Sequence, residues 1–185
     1  FSNTLLLDNG DTIQGTALAD YEATISPIPC TQQLSMYKAM GALGFDAGTL
    51  GNHEFNYGLP FLLRALENVP FPAVNANVVY LDAQGRADPS RPVFRPTALL
   101  EREFTDEAGA PQRLKIGVLG LTPPQVMNWD RQHLLGKVQA LDIPETARRH
   151  VAALKAAGAD LVVVIAHSGF ERGETVFFAE NAVAK

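Results

Sequence analysis

A single cysteine, Cys30, in 185 residues excludes an internal disulfide and leaves the redox compartment open. No apolar run approaches the ~18 residues that cross a bilayer, so a membrane partner is not expected. Lys and Arg form no run, and 15 of them against 20 Asp and Glu give a net charge of -5. A chain without a basic patch is a poor match for a phosphodiester polymer, which argues against DNA or RNA as a partner. Small nucleotides remain compatible, because bound divalent cations supply positive charge locally. No G-x-G-x-x-G follows the first apolar run, so a dinucleotide-binding fold ranks low. Repeats, low-complexity tracts and interdomain linkers are absent as well. Nor is there a basic start followed by a cleavage site: Phe1-Ser2-Asn3-Thr4 leads straight into a strand, as expected of a trimmed fragment.

What is present suits a mixed α/β protein. Hydrophobic residues at 46% and charged residues at 19% are ordinary for that class, and 185 residues can bury a real core as one domain, 1–185. Apolar runs alternate with helical spacing. Thr31 reads as the cap of a helix reaching Leu43 and ending at Gly44. Gly58-Leu59-Pro60 opens a second helix with an apolar stripe over Phe61, Leu62, Ala65 and Leu66. Asp142-Ile143-Pro144-Glu145 has capping-box spacing and starts a third, closed by Gly158. Residues 16–29 read as a loop, 71–79 as a strand with Asn75 and Asn77 on a half-exposed face, and 81–92 as a polar turn region. Around Gly109-Ala110-Pro111, residues 97–104 and 113–121 read as an antiparallel hairpin whose Glu101, Arg102 and Glu103 form a solvated edge. Residues 173–185 read as a final helix.

The stretch organising the chain is Thr49-Leu50-Gly51-Asn52-His53-Glu54. An apolar run there delivers an Asn and a His to a loop at its carboxyl end, where open α/β sheets keep their chemistry. Asn offers a neutral oxygen to a cation, while His ligates a metal or donates a proton near neutral pH. Taken alone the pair is a turn with satisfied side chains. Two other strand ends change that reading. Leu5-Leu6-Leu7-Asp8-Asn9-Gly10-Asp11 ends in a Gly-flanked acid, and Leu161-Val162-Val163-Val164-Ile165-Ala166-His167 ends in an imidazole. Three strand ends with one donor each suit a metal site. Trp129, in an irregular loop, either stacks on a base or packs the loop down, the second being the commoner role. His133 and His150 show no partner in the pattern and are left outside the site.

Gly10-Asp11 with Gln14-Gly15, then Gly51-Asn52-His53-Glu54, then Ala166-His167-Ser168-Gly169 resemble the successive motifs of the calcineurin-like dinuclear metallophosphoesterases. The likeness covers nearly the whole chain, through Pro123-Pro124-Gln125-Val126-Met127 and Trp129. It implies a layered α/β/β/α sandwich, incomplete at both ends, holding two divalent metal ions (Mn, Fe, Zn, Co or Mg). By the same resemblance Asp11, Asn52 and His167 are metal ligands and His53 is the general acid. Glu54 is left between orienting the loop and lying on the surface. Asn56 stands where many relatives that act on 5′-nucleotides have an Asp, which points to the branch that opens 2′,3′-cyclic nucleotides and removes 3′-phosphates. A small nucleotide is then the substrate, and the location is periplasmic or secreted. Such an enzyme lowers the pKa of a bridging water between two cations about 3.5–4 Å apart. The family's Asp-x-His and Gly-His-x-His motifs are not in this sequence, so the isolated chain is expected to bind metal weakly. A 5′-nucleotidase or sugar-nucleotide hydrolase, and a binding module that keeps the fold without turnover, are the alternatives.

Overall fold

A computed structural model of the chain describes residues 3–29, 31–170 and 176–183. Its longest ladder joins β5 (Thr97–Thr105), β6 (Pro111–Leu121) and β8 (Leu161–Ala166), with β5 antiparallel to β6 and β8 parallel to it. Strand alternation decides what each face buries. Ile116 and Val118 of β6, with Val163 and Ile165 of β8 and Ala98 and Leu100 of β5, pack toward Leu7 and Ala47. Leu119 and Leu121, with Val162 and Ala166, point the other way onto Leu154, Val151 and Ala147 of α6 (Ile143–Ala156). Helix α6 starts where its capping box predicts, the Asp142 carboxylate accepting the Glu145 N–H at 3.0 Å.

Beyond Leu7 and Ala47 lies the second sheet layer. Here β1 (Leu7–Asp8) and β2 (Ala47–Gly48) run parallel, and β3 (Val78–Leu81) pairs with β4 (Ala87–Pro92) and β7 (Val138–Ala140). Helices α2 (Ser35–Leu43) and α3 (Leu59–Glu67) close that side over a core of Tyr37, Met40, Leu62, Phe71 and Phe55. The architecture is a mixed α/β fold in which helices cover both outer faces. Among the described residues no helix is long and apolar enough to cross a membrane.

Several local expectations are corrected. Residues 16–29 contain a capped turn, α1 (Ala17–Asp20), whose Ala19 N–H is taken by the Thr16 hydroxyl at 3.1 Å, followed by a π-turn over Tyr21–Ile25. Helix α2 begins at Ser35 without a Thr31 cap. Glu22, from the π-turn, accepts the Ser35 N–H at 3.2 Å and its hydroxyl at 2.5 Å, so the cap comes from distant sequence. Only a bridge between Gly48 and Ala73 ties residues 71–77 to a ladder, and β4 occupies part of the expected turn region. Asn75 and Asn77 are fully buried, not half-exposed. Asn75 donates to the Thr122 hydroxyl at 2.5 Å, while Asn77 donates to the Thr122 carbonyl at 2.7 Å and accepts its N–H at 2.9 Å. They satisfy backbone where the chain leaves one ladder for another.

The final helix is not found in residues 176–183, and residues 173–175, 184 and 185 lie outside the described residues. Side chains from other elements hold this backbone instead of i−4 carbonyls. Asp142 accepts the Phe178 N–H at 2.8 Å, and the Ser168 hydroxyl accepts the Ala182 N–H at 3.0 Å while donating to the Glu180 carbonyl.

Candidate metal centre

The loops leaving β1, β2 and β8 meet at one point, and backbone contact between two of them sets its depth. Gly10 has φ +89°, and a Cβ added there would stand 2.2 Å from the Gly51 nitrogen. A Cβ at Gly51 would reach 2.3 Å from Asp11 Oδ1 and 2.7 Å from the His167 ring. Both positions therefore need glycine: any side chain would occupy the floor of the site. Asp11 itself sits at φ +64°, a left-handed conformation that Asp tolerates better than most residues but that still stores strain.

That strained turn is held by Glu54, which is 0% exposed. Its Oε2 accepts the N–H groups of Asp11 and Gly51, each at 2.7 Å, and its Oε1 accepts those of Thr12 at 2.5 Å and Ile13 at 3.2 Å. One carboxylate thus staples the Asp11 loop to the Asn52 loop. Burial pushes the Glu54 pKa up, against the four backbone donors that pull it down. Of the two places the sequence left open for Glu54, the surface is excluded. Burial also raises the pKa of Asp8, beneath the loop, where its carboxylate accepts the Thr12 hydroxyl at 3.0 Å. Sequence alone does not single out Asp8, because a strand-end acid facing inward looks the same as one facing out.

Asp11, Asn52, His53 and His167 are all brought together. His167 Nε2 lies 3.1 Å from Asn52 Oδ1 and 3.2 Å from Asp11 Oδ2. Asp11 Oδ1 accepts the His53 backbone N–H at 2.9 Å. The other nitrogen of His167, Nδ1, is 2.7 Å from the Asn9 carbonyl. A carbonyl only accepts, so Nδ1 carries a proton, and Nε2 is the nitrogen turned to Asp11 and Asn52. A carboxylate, an amide oxygen and an imidazole nitrogen thus meet at contact distance. With Nε2 deprotonated the three present lone pairs to one point, and oxygen with imidazole nitrogen is a suitable donor set for a divalent ion. Among the described residues no group of three His, Cys, Asp or Glu side chains forms a metal cluster; the third donor here is the Asn52 amide.

Beside this point opens a cleft of about 210 Å³ lined by Asn9, Asn52, Pro123, Trp129, His167 and Glu180 among others. Trp129 is 49% exposed and forms part of its wall, so it is not packed away as the commoner reading of a loop tryptophan expects. A larger groove, about 490 Å³ between Leu63, Pro70 and Phe94, has no His, Asn or Asp in its lining. His53 has its ring held from behind, Nδ1 lying 2.6 Å from Asn56 Oδ1. His133 rests near Gly58 with its Nε2 3.3 Å from Gln132, and His150 lies on α6; neither lines the cleft.

No protein-family model matches the chain. Over 181 residues, 98% of this chain, it is 46% identical to the 2′,3′-cyclic-nucleotide 2′-phosphodiesterase/3′-nucleotidase of Salmonella typhimurium, of which it spans 27%. The crystal structure of the calcineurin-like phosphoesterase YfkN from Bacillus subtilis superposes with a TM-score of 0.89 at 43% identity, over 98% of this chain and 53% of that one. A 5′-nucleotidase of Vibrio cholerae is more distant, 29% identical over 184 residues, 98% of this chain and 29% of that protein.

Proposed function

As a homologue of the calcineurin-like phosphoesterases over nearly its entire length, this chain is, we propose, part of the metal-binding domain of an enzyme that hydrolyses 2′,3′-cyclic nucleotides and 3′-nucleotides. The observation carrying the proposal is the convergence of Asp11, Asn52 and His167 at contact distance, with the backbone N–H of His53 bonded to Asp11. Identity of 46% to a cyclic-nucleotide phosphodiesterase against 29% to a 5′-nucleotidase supports that substrate class over the 5′-nucleotides. The chain spans about a quarter of the first of these relatives, so the activity is proposed for a longer protein, which would supply the remaining ligands.

Asp11, Asn52 and His167 would hold two divalent cations, which when bound supply an acidified water and neutralise charge on the phosphate. Asp11 keeps one oxygen on the His53 N–H and aims the other at the centre, so ligand and acid are placed by the same carboxylate. Asn9 fixes the His167 ring through Nδ1, leaving Nε2 for the centre. His53 has Nδ1 occupied by Asn56, so Nε2 is the atom that hands a proton to the leaving sugar oxygen. The cleft walled by Trp129 and Glu180 would receive the nucleotide. A periplasmic or secreted location is part of the same proposal.

The full-length enzyme should hydrolyse 2′,3′-cyclic AMP and 3′-AMP, lose activity with a chelator and regain it with Mn or Co. Replacing Asp11 by Ala should weaken metal binding and cut kcat by more than ~1,000-fold, and His53→Ala should lower kcat by ~100- to 10,000-fold with metal content intact. Activity untouched by a chelator, or by either substitution, would overturn the proposal.

A further inference from the structure

Asp130 has a side chain that its own surroundings do not explain. It stands between α4 (Val126–Trp129) and α5 (Arg131–Leu134), at the cap position of α5, yet its carboxylate takes none of that helix's N–H groups. The N–H groups of His133 and Leu134 go to its backbone carbonyl instead. Only 4% of Asp130 is exposed. One carboxylate oxygen accepts the Asn56 side-chain N–H at 2.9 Å, and the other has no hydrogen-bond partner among the described residues. A buried acid is costly unless it serves some group, and the group it touches is the one behind His53.

We propose that Asp130 is a positioning residue that sets the tautomer of His53 through Asn56. The proposal rests on the reading of His53 as proton donor. A carboxylate only accepts, so the Asn56 amide must turn its NH₂ toward Asp130 and its oxygen toward His53. That oxygen also only accepts, so the proton on Nδ1 is obligatory and Nε2 is left as the exchanging atom. Without Asp130 the amide is free to turn over. It then offers N–H to the ring, Nδ1 becomes the acceptor, and the proton moves to Nε2 in the neutral ring. The arrangement also accounts for Asn at position 56. An Asp there would set two carboxylates against each other across a contact now 2.9 Å long.

The test uses the full-length protein and three variants: Asp130→Ala, Asn56→Asp and the exchange N56D/D130N. Asp130→Ala should lower kcat by ~10- to 100-fold, part of the range ascribed to general acids, with KM within about twofold of the unaltered enzyme. Asn56→Asp should be impaired alone and restored by D130N to within about threefold, because the exchange keeps one acid and one amide in the same space. Nitrogen-15 spectra of the metal-free protein should show neutral His53 protonated at Nδ1, with a shift toward Nε2 in Asp130→Ala. Should Asp130→Ala not fold, the exchange pair retains the packing and carries the kinetic test. An unchanged tautomer and kcat in Asp130→Ala, or no restoration of N56D by D130N, overturns the inference. An unaltered protein without phosphoesterase activity overturns the function instead, and the nitrogen-15 comparison still decides the role of Asp130.

Discussion

Two carboxylates in this chain do the same local job in opposite surroundings. Glu54 gathers four backbone N–H groups from two loops in the interior, while Asp106 gathers those of Ala108 and Ala110 at the exposed tip of the β5–β6 hairpin. Desolvation dominates at Glu54 and lifts its pKa; at Asp106 the bond from Ala110 dominates and lowers it. Ionisation therefore works against folding as the pH rises through the Glu54 value, but supports it above the Asp106 value. The difference shows what each turn is for. The hairpin tip is a local economy of one strand reversal, whereas the inner staple holds a strained Asp11 and two glycine contacts in a part-buried turn, where a broken bond is replaced by solvent less readily.

Glu54→Ala breaks the comparison hardest. Four N–H groups, two buried and two part-buried, lose their acceptor at once, and at ~1–3 kcal/mol for each unsatisfied group the loss should exceed ~3 kcal/mol after partial hydration, read from urea unfolding. Glu54→Gln keeps the shape but turns an NH₂ toward two of the donors, for an expected loss of ~1–3 kcal/mol together with weaker metal binding. At the hairpin, Asp106→Ala should shift the urea midpoint only slightly at neutral pH and leave turnover unchanged. Its mark is in the pH dependence: the unaltered protein should lose a little stability as the pH falls below the usual carboxylate range, and the variant should lack that slope. His150 sharpens the contrast from the side of a cation. Burial first, and Arg149 second, lower its pKa, so stability present above the usual imidazole range is lost as the pH falls through it; His150→Gln should flatten that small decline.

The apolar runs that end in Asp11, Asn52 and His167 were legible because a buried strand needs a continuous hydrophobic segment and a glycine beside its polar end. Gly58 with Pro60, and Asp142 with Glu145, were legible for a similar reason, since helix starts are written within four residues. Glu54 was not. Its partners are backbone N–H groups, which every residue has, so nothing in the local sequence separates a staple from a surface acid. Asn56 and Asp130 meet across 74 positions, and the cap of α2 arrives from Glu22, 13 positions before Ser35. Asn75 and Asn77 alternate as a half-wet strand does, yet Thr122 consumes both amides. The expected final helix over 173–185 failed in its described part because Asp142 and Ser168, far upstream, satisfy that backbone better than its own turns would.

The contact between Gly10 and Gly51 also bears on how such a site diversifies. Its floor leaves no room for an added methyl group, so substitution there removes the centre instead of retuning it. Variation has freedom elsewhere in the cleft lining, at Trp129 and Glu180, which are exposed. A library aimed at new ester substrates belongs there, with the two glycines left untouched.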